Sequence, residues 1–291
     1  MRVGTVTFGQ ISAFLIVFFL GVPIPSQATV FFADGFEYAS QEAFEAVWAS
    51  SCPGSSLLMG PSTAYAANGI RSLRSVQNGG ANSCFVDRSY TQTQTVFYRW
   101  NLRLAPEYDL ETVCVPTGSC AGGNGSKQMY AKALGAGYGV FWHLEPNTHL
   151  IRLNVTHGGY SVICSSGPGM PVGPQPNEEC LYRPNMASVP IVPGNTYCVE
   201  AELVRGTPGV ADGVARIWIN GTLTMEYTNV AFARSTEGSS GFNTVTHYSQ
   251  AGYGTRYIDD LVIGNTRIGC GATPSSGDTV APNAPSGLLV R

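Results

Sequence analysis

Lysine is nearly absent: Lys127 and Lys132 are the two examples in 291 residues, charged side chains amount to 12%, and the formal net charge is −3. So few cations exclude a sequence-independent hold on nucleic acid, which neutralises many phosphates with Lys and Arg. Also lacking is any long stretch with the 3.6-residue apolar period, which excludes helical bundles and repeated βαβ units. The eight cysteines form neither C-x-x-C pairs nor the Cys/His spacing of a zinc site. Serine triads, phosphate loops and organic-cofactor motifs find no support, since Gly135, Gly137 and Gly139 read as a turn with no helix to follow.

The first residues do carry a signal. One Arg near the start, an apolar run from Ile11 to Val22 and the small-x-small triplet Ser26-Gln27-Ala28 make residues 1–28 a secretory signal peptide. The run is short for a membrane anchor and no positive stop-transfer cluster follows it, so no span is expected in the mature chain and the protein is expected to be secreted. All eight cysteines lie beyond Ala28, and an even count in an exported chain reads as disulfides. Neighbouring positions pair Cys114 with Cys120 and Cys164 with Cys180 as loop staples; Cys52–Cys84 and Cys198–Cys270 follow by elimination. Sequons at Asn124, Asn154 and Asn220 matter only in a eukaryotic host.

Strand-period alternation fills the rest. Residues 96–104 send Tyr98, Trp100, Leu102 and Leu104 to one face and Arg99, Asn101 and Arg103 to the other. Further strands are expected over 127–134, 139–145, 149–156, 196–204, 213–221, 242–250 and 257–264, with a two-residue hairpin turn at Asn220-Gly221. Ser40 caps a short helical turn that sets Phe44 and Trp48 on one face. Residues 105–126 and 164–195 form long cysteine-bearing loops, and 271–291 are a Ser/Pro/Gly linker ending in what resembles the first strand of a fibronectin type III module.

The segments FFADGFEY (31–38), FYRWNLRL (97–104), TPGVADGVARIWINGTL (207–223) and YIDDLVIG (257–264) together resemble the concanavalin-A-like (laminin-G-like) jelly roll of secreted polysaccharide lyases of the alginate- and glucuronan-lyase type and of glycan-binding modules. The resemblance covers about residues 30–270. It implies an all-β, two-sheet antiparallel jelly-roll sandwich over 29–270 with long disulfide-stapled loops. It also implies adjacent first and last strands, which brings Asp34 and Glu37 near Asp260 and Asp259. Alternation sends the two aspartates to opposite faces, leaving Asp34, Glu37 and Asp260 as ligands for a structural calcium ion. The alternative is that each acid accepts turn amides or pairs with Arg256 or Arg267.

In such folds a glycan lies on the concave sheet. The polar alternate positions are Arg99, Asn101, Arg103, Gln128, Tyr130, Lys132, His143, Glu145, Arg152, Asn154, Glu200, Glu202, Arg216, Trp218 and His247; the alternative is an ordinary solvated sheet face. Elimination at a uronate needs a group to neutralise the carboxylate, a base for the adjacent proton and an acid for the leaving oxygen. Arg99, Arg152 or Gln128 suits the first role, and Tyr130, His143, His247 and Lys127 suit the others. Arg99, Asn101, Arg103, Gln128, Lys132, Arg152 and Trp218 form the binding set, with a polysaccharide, polyanionic in the lyase case, as partner and a monomer expected. A glycosidase would need two placed carboxylates, for which Glu200 and Glu202 are the nearest pair. The reading is a secreted protein acting on a uronate-containing glycan by β-elimination, or alternatively a non-catalytic glycan-binding or extracellular surface-interaction module.

Overall fold

The computed structural model describes residues 29–51, 59–78, 84–109, 126–133, 138–145, 148–157, 180–233, 240–250 and 253–271. The signal segment, the linker after Gly271, and Cys52, Cys114, Cys120 and Cys164 lie outside the described residues. In chain order the elements are β1 (Val30–Asp34), α1 (Gln41–Glu45), β2 (Ala49–Ser50), β3 (Met59–Ser62), β4 (Ser72–Asn78), β5 (Cys84–Thr93), β6 (Thr95–Leu104), β7 (Ser126–Ala133), β8 (Tyr138–Leu144) and β9 (Ile151–His157). They continue with β10 (Cys180–Tyr182), β11 (Thr196–Val204), β12 (Gly213–Ile219), β13 (Thr222–Val230), β14 (Phe242–Gln250) and β15 (Tyr253–Gly264).

The strands form two antiparallel sheets. One has eight strands in the order β13-β12-β11-β6-β15-β4-β3 with β1 beside β15, and the other seven in the order β10-β9-β8-β7-β14-β5-β2. Strand alternation decides what each sheet buries. Tyr98, Trp100, Leu102 and Leu104 of β6 are buried as their spacing predicts, and so are Val140, Trp142 and Leu144 of β8. The sheets meet where the Trp142 ring stands edge-on to Tyr98 at 5.4 Å and to Trp100 at 6.0 Å, contacts worth about 0.5–1.5 kcal/mol each beyond the area they bury. Ser40 caps α1, its Oγ accepting from the Ala43 amide at 3.2 Å, and Phe44 and Trp48 stack at 6.2 Å in the core. Asn220 and Gly221 both take positive φ, 50° and 81°, as the tight β12–β13 turn requires.

β1 pairs with β15, as the resemblance implies. Alternation fails between Asp259 and Val262, where β15 bulges against β6 and Asp260 adopts φ 50°. Both carboxylates therefore reach Asn68, in place of the opposite faces expected from spacing. Asp259 accepts from the Ala67 and Asn68 amides at 2.7 and 3.2 Å, and Asp260 from the side chains of Asn68 and Asn101. Glu37 holds the far end of the same loop through the Ile70 and Arg71 amides at 2.9 and 3.1 Å. These two aspartates are buried because they satisfy a turn that would otherwise bury unpaired amides.

The sandwich also buries His247, whose ring lies 5.4 Å from Trp48 and 6.2 Å from Phe36. Burial and then the Arg256 charge lower its pKa from 6.5 to about 3. Asp259 moves the other way: burial, followed by the Asp260 charge, raises it from 3.8 to about 7 against the pull of the amides. The folded chain keeps the Asp259 proton through pH 3.8 to about 7 while the unfolded chain releases it, so this group costs stability as pH rises through that window. The unfolded chain protonates His247 below pH 6.5 while the folded chain resists to about 3, so this group costs stability as pH falls. His247→Leu is accordingly expected to gain stability relative to the parent as pH is lowered, on the order of a few kcal/mol in full, read as a growing difference in melting temperature. Asp259→Asn is expected to lose melting temperature at acid pH and narrow the gap toward neutrality. Parallel melting curves across that pH range for parent and variants would overturn both assignments.

Candidate functional site

The outer face of the seven-stranded sheet is built around a stack of aromatic rings. Met129, Ala131 and Ala133 of β7 point into the core, so Tyr130 and Lys132 point outward. A bulge between Lys127 and Met129 adds Lys127 to the same side, in register with His143 of β8, which in turn pairs with Arg152 of β9. Tyr130 pairs with Phe141, and their rings stack at 3.7 Å and 7°. Gly139 makes room: a Cβ there would run into the Tyr130 ring. Tyr248 of β14 completes the group, 5.6 Å from Phe141 and 6.3 Å from Tyr130.

Charge is threaded through these rings. The Lys127 ammonium lies 4.4 Å above Phe141 and 5.8 Å from Tyr248. Lys132 pairs with Asp87 at 3.0 Å and stands 5.4 Å from both Phe85 and Tyr130, while Thr246 donates to the same Asp87. Glu145 gathers Arg152 at 3.4 Å, Arg183 at 2.8 Å and the Thr148 hydroxyl at 2.9 Å. The Tyr130 hydroxyl sits 3.2 Å from Thr156 Oγ1. Burial, then the neighbouring Tyr130 and Asp87, raise the Tyr248 pKa well above the usual phenol value, so its proton is held firmly. Lys127, Tyr130, Lys132 and Tyr248 are partly accessible, whereas His143, Arg152 and Asn154 are closed off at 1%, 4% and 0% exposure.

The single polar face expected from alternation is in fact divided between the two sheets. Arg99, Asn101, Arg103, Glu200, Glu202, Arg216 and Trp218 belong to β6, β11 and β12 and face outward on the eight-stranded sheet. The core separates them from Tyr130, Lys127, Lys132, His143 and Arg152. There, Arg103 covers the Tyr65 ring at 4.8 Å and Arg267 covers Trp218 at 4.4 Å. Arg99 is 3% exposed, and burial lowers its pKa. Glu200 accepts from Arg267 at 3.1 Å and from the Ile268 and Gly269 amides at 2.6 and 2.9 Å, and Arg216 links Glu202 to Glu226 at 2.7 Å each. Glu200 and Glu202 are thus committed to structure and are not a poised pair for hydrolysis. Near Glu200, Cys198 and Cys270 form the expected disulfide, with Cα atoms 5.7 Å apart. Cys84 is also disulfide-bonded.

Two further expectations are corrected by the pleat. Gln128 points inward because the β7 bulge places it and Met129 on the same side; it donates to Ser126 Oγ at 2.9 Å and accepts from Arg256 at 2.8 Å. His247 pairs with Met129 and faces the core. Asp34 accepts from the Phe36 amide at 2.6 Å and the Trp48 indole at 2.8 Å, a donor set separate from those of Glu37 and Asp260. Among the described residues no group of three or more His, Cys, Asp or Glu is arranged to hold a metal ion.

Tyr248, Phe141 and Asp87 are the members of this site absent from the sequence-derived set. Tyr248 had a signal: Val245 marks the inward face of β14, which puts His247 inside and Tyr248 outside. Asp87 lies on a strand whose pattern is largely polar, and nothing in its spacing tied it to Lys132.

No protein-family model matches the chain, and no curated protein matches it in sequence. Solved structures match in fold. The marine PL-14 alginate lyase from Aplysia kurodai aligns with TM-score 0.52 at 11% identity, covering 81% of this chain and 99% of that one. The cellulose-induced protein Cip1 aligns with TM-score 0.50 at 16% identity, covering 82% and 99%. The endo-β-1,4-glucuronan lyase from the fungus Trichoderma reesei aligns at 0.48, with 15% identity over 82% and 96%. The chain has the jelly-roll architecture of polysaccharide lyases and their structural kin, over nearly the whole length of those proteins.

Proposed function

We propose that the chain acts on a uronate-containing polysaccharide by β-elimination on the outer face of the seven-stranded sheet. The observation that carries this reading is the placement of both lysines of the chain against the rings of Tyr130, Phe141 and Tyr248, two of them stacked, on one partly accessible face. Among the described residues of that face, Lys127, Lys132, Arg152 and Arg183 stand against two carboxylates, Asp87 and Glu145. A cationic face on a chain of net charge −3 favours a polyanion over a neutral glycan, and the rings offer flat apolar surface to sugar faces.

In this reading Lys127 neutralises the uronate carboxylate and so acidifies the neighbouring C–H bond. Tyr130, oriented by Thr156 and with the Lys132 ammonium 5.4 Å from its ring, enters the step as the phenolate and takes up that proton to become the phenol. The released electron pair forms the carbon–carbon double bond as the glycosidic carbon–oxygen bond breaks, and Tyr248 gives its tightly held proton to the departing oxygen. The closure of His143, the side chain whose ordinary pKa best suits proton transfer at neutral pH, favours a second reading in which the same face binds the glycan without cleaving it.

The test is ultraviolet absorbance from the unsaturated uronate when the protein meets alginate, glucuronan or other polyuronates. Tyr248→Phe is expected to keep binding and lower turnover by about 10²–10⁴-fold, the usual contribution of a positioned proton donor. Lys127→Ala is expected to weaken binding and turnover together. Retardation in a polysaccharide gel with no absorbance would establish the binding module; neither signal from any polyuronate would remove the polyuronate reading. Full activity in both variants would move the chemistry off this face.

A further inference from the structure

β7 and β14 fall out of register directly behind the aromatic stack. His247 pairs with Met129, but the next pair is Gln250 with Lys127, so three steps along β14 oppose two along β7. β7 is bulged against its other neighbour at the same point, between Lys127 and Met129. Such a break leaves ladder groups unpaired, and a buried carbonyl without a donor is costly.

The group that fills this gap comes from the other sheet. Arg256 of β15 pairs with Leu104 and Ser75 on the inward side and extends its guanidinium through the interior. It donates to the Lys127 carbonyl at 3.2 Å, to the Tyr248 carbonyl and to Gln128 Oε1 at 2.8 Å, with Ser75 Oγ at 3.5 Å. Its side chain is wholly buried, its partners among the described residues are all neutral, and burial lowers its pKa to about 10, which still leaves it charged at neutral pH. A buried cation without a counter-charge is an expensive way to fill space, and an apolar residue of similar volume would serve packing better. What the guanidinium adds is a planar fork that holds two strands at once.

We propose that Arg256 is a positioning residue for the outer face, setting where Lys127 and Tyr248 emerge by holding their backbone carbonyls from behind. The functional weight of this rests on the site proposed above; the geometric part does not.

The chain's two lysines make the geometric part directly readable. After reductive methylation with carbon-13, each dimethyl-lysine resonance reports the ring currents around it, those of Phe141 and Tyr248 for Lys127 and those of Phe85 and Tyr130 for Lys132. In Arg256→Lys and Arg256→Met the Lys127 resonance is expected to move toward the value in the unfolded chain while that of Lys132 stays in place. The lysine variant keeps the charge but has no planar fork, so it separates positioning from electrostatics. An unmoved Lys127 resonance in a folded variant would overturn the proposal. So would equal movement of both resonances, or failure of both variants to fold, since either would assign Arg256 to the core as a whole. A second arm measures binding of unmethylated protein to alginate, expected to weaken by roughly tenfold or more in both variants. If the parent itself binds no polyuronate, the proposed function fails while the resonances still decide the role of Arg256.

Discussion

Each strand in a two-sheet sandwich must choose which alternate set of side chains faces the other sheet, and everything on the outer faces follows from that choice. Here it is enforced by ring contacts such as Trp142 against Tyr98 and Trp100, which fix the inward sets of β6 and β8. A one-residue slip in β7 would bury Lys132 and Tyr130 and expel Met129 and Ala131. Register also shifts at several bulges, and three of them decide where polar side chains emerge: Lys127 lies beside one, Tyr248 beside another, and Asp259 and Asp260 at a third.

The charges divide by sign. Most of the buried carboxylates serve backbone amides or arginines: Asp259 holds Ala67 and Asn68, Glu145 holds Arg152 and Arg183, and Glu200 holds Ile268 and Gly269. Such bonds replace hydration with fixed donors, which is what allows an acid to be buried. The two lysines, by contrast, lie over aromatic rings on a partly accessible face. Acids in this molecule chiefly organise chain, and the lysines are left where a solute can meet them.

Alternation makes much of this legible in the sequence. Strands 196–204 and 242–250 coincide with β11 and β14, and the inward set of β6 is as read. β4 escaped because its inward positions include Ser75 and Gln77 next to Arg256, so a buried strand has a polar pattern. Period two separates inside from outside but not one sheet from the other, which is why Arg99 and Tyr130 looked like neighbours. Bulges are invisible to the same rule, which by itself sends Gln128 outward and the two aspartates to opposite faces. Tyr130, Lys127, Lys132, His143 and Arg152 were legible because they lie on three consecutive strands of one sheet, where sequence order and spatial order agree.

The Cys198–Cys270 bridge, the Glu200 grip on residues 268 and 269, and the Arg267–Trp218 contact all lie on the outer face of the eight-stranded sheet. Together they fix the point of departure of the chain on the side away from the lysines. A surface or scaffold attached through residues beyond Cys270 would therefore meet the molecule from behind. The aromatic face would then be turned outward, away from the point of attachment.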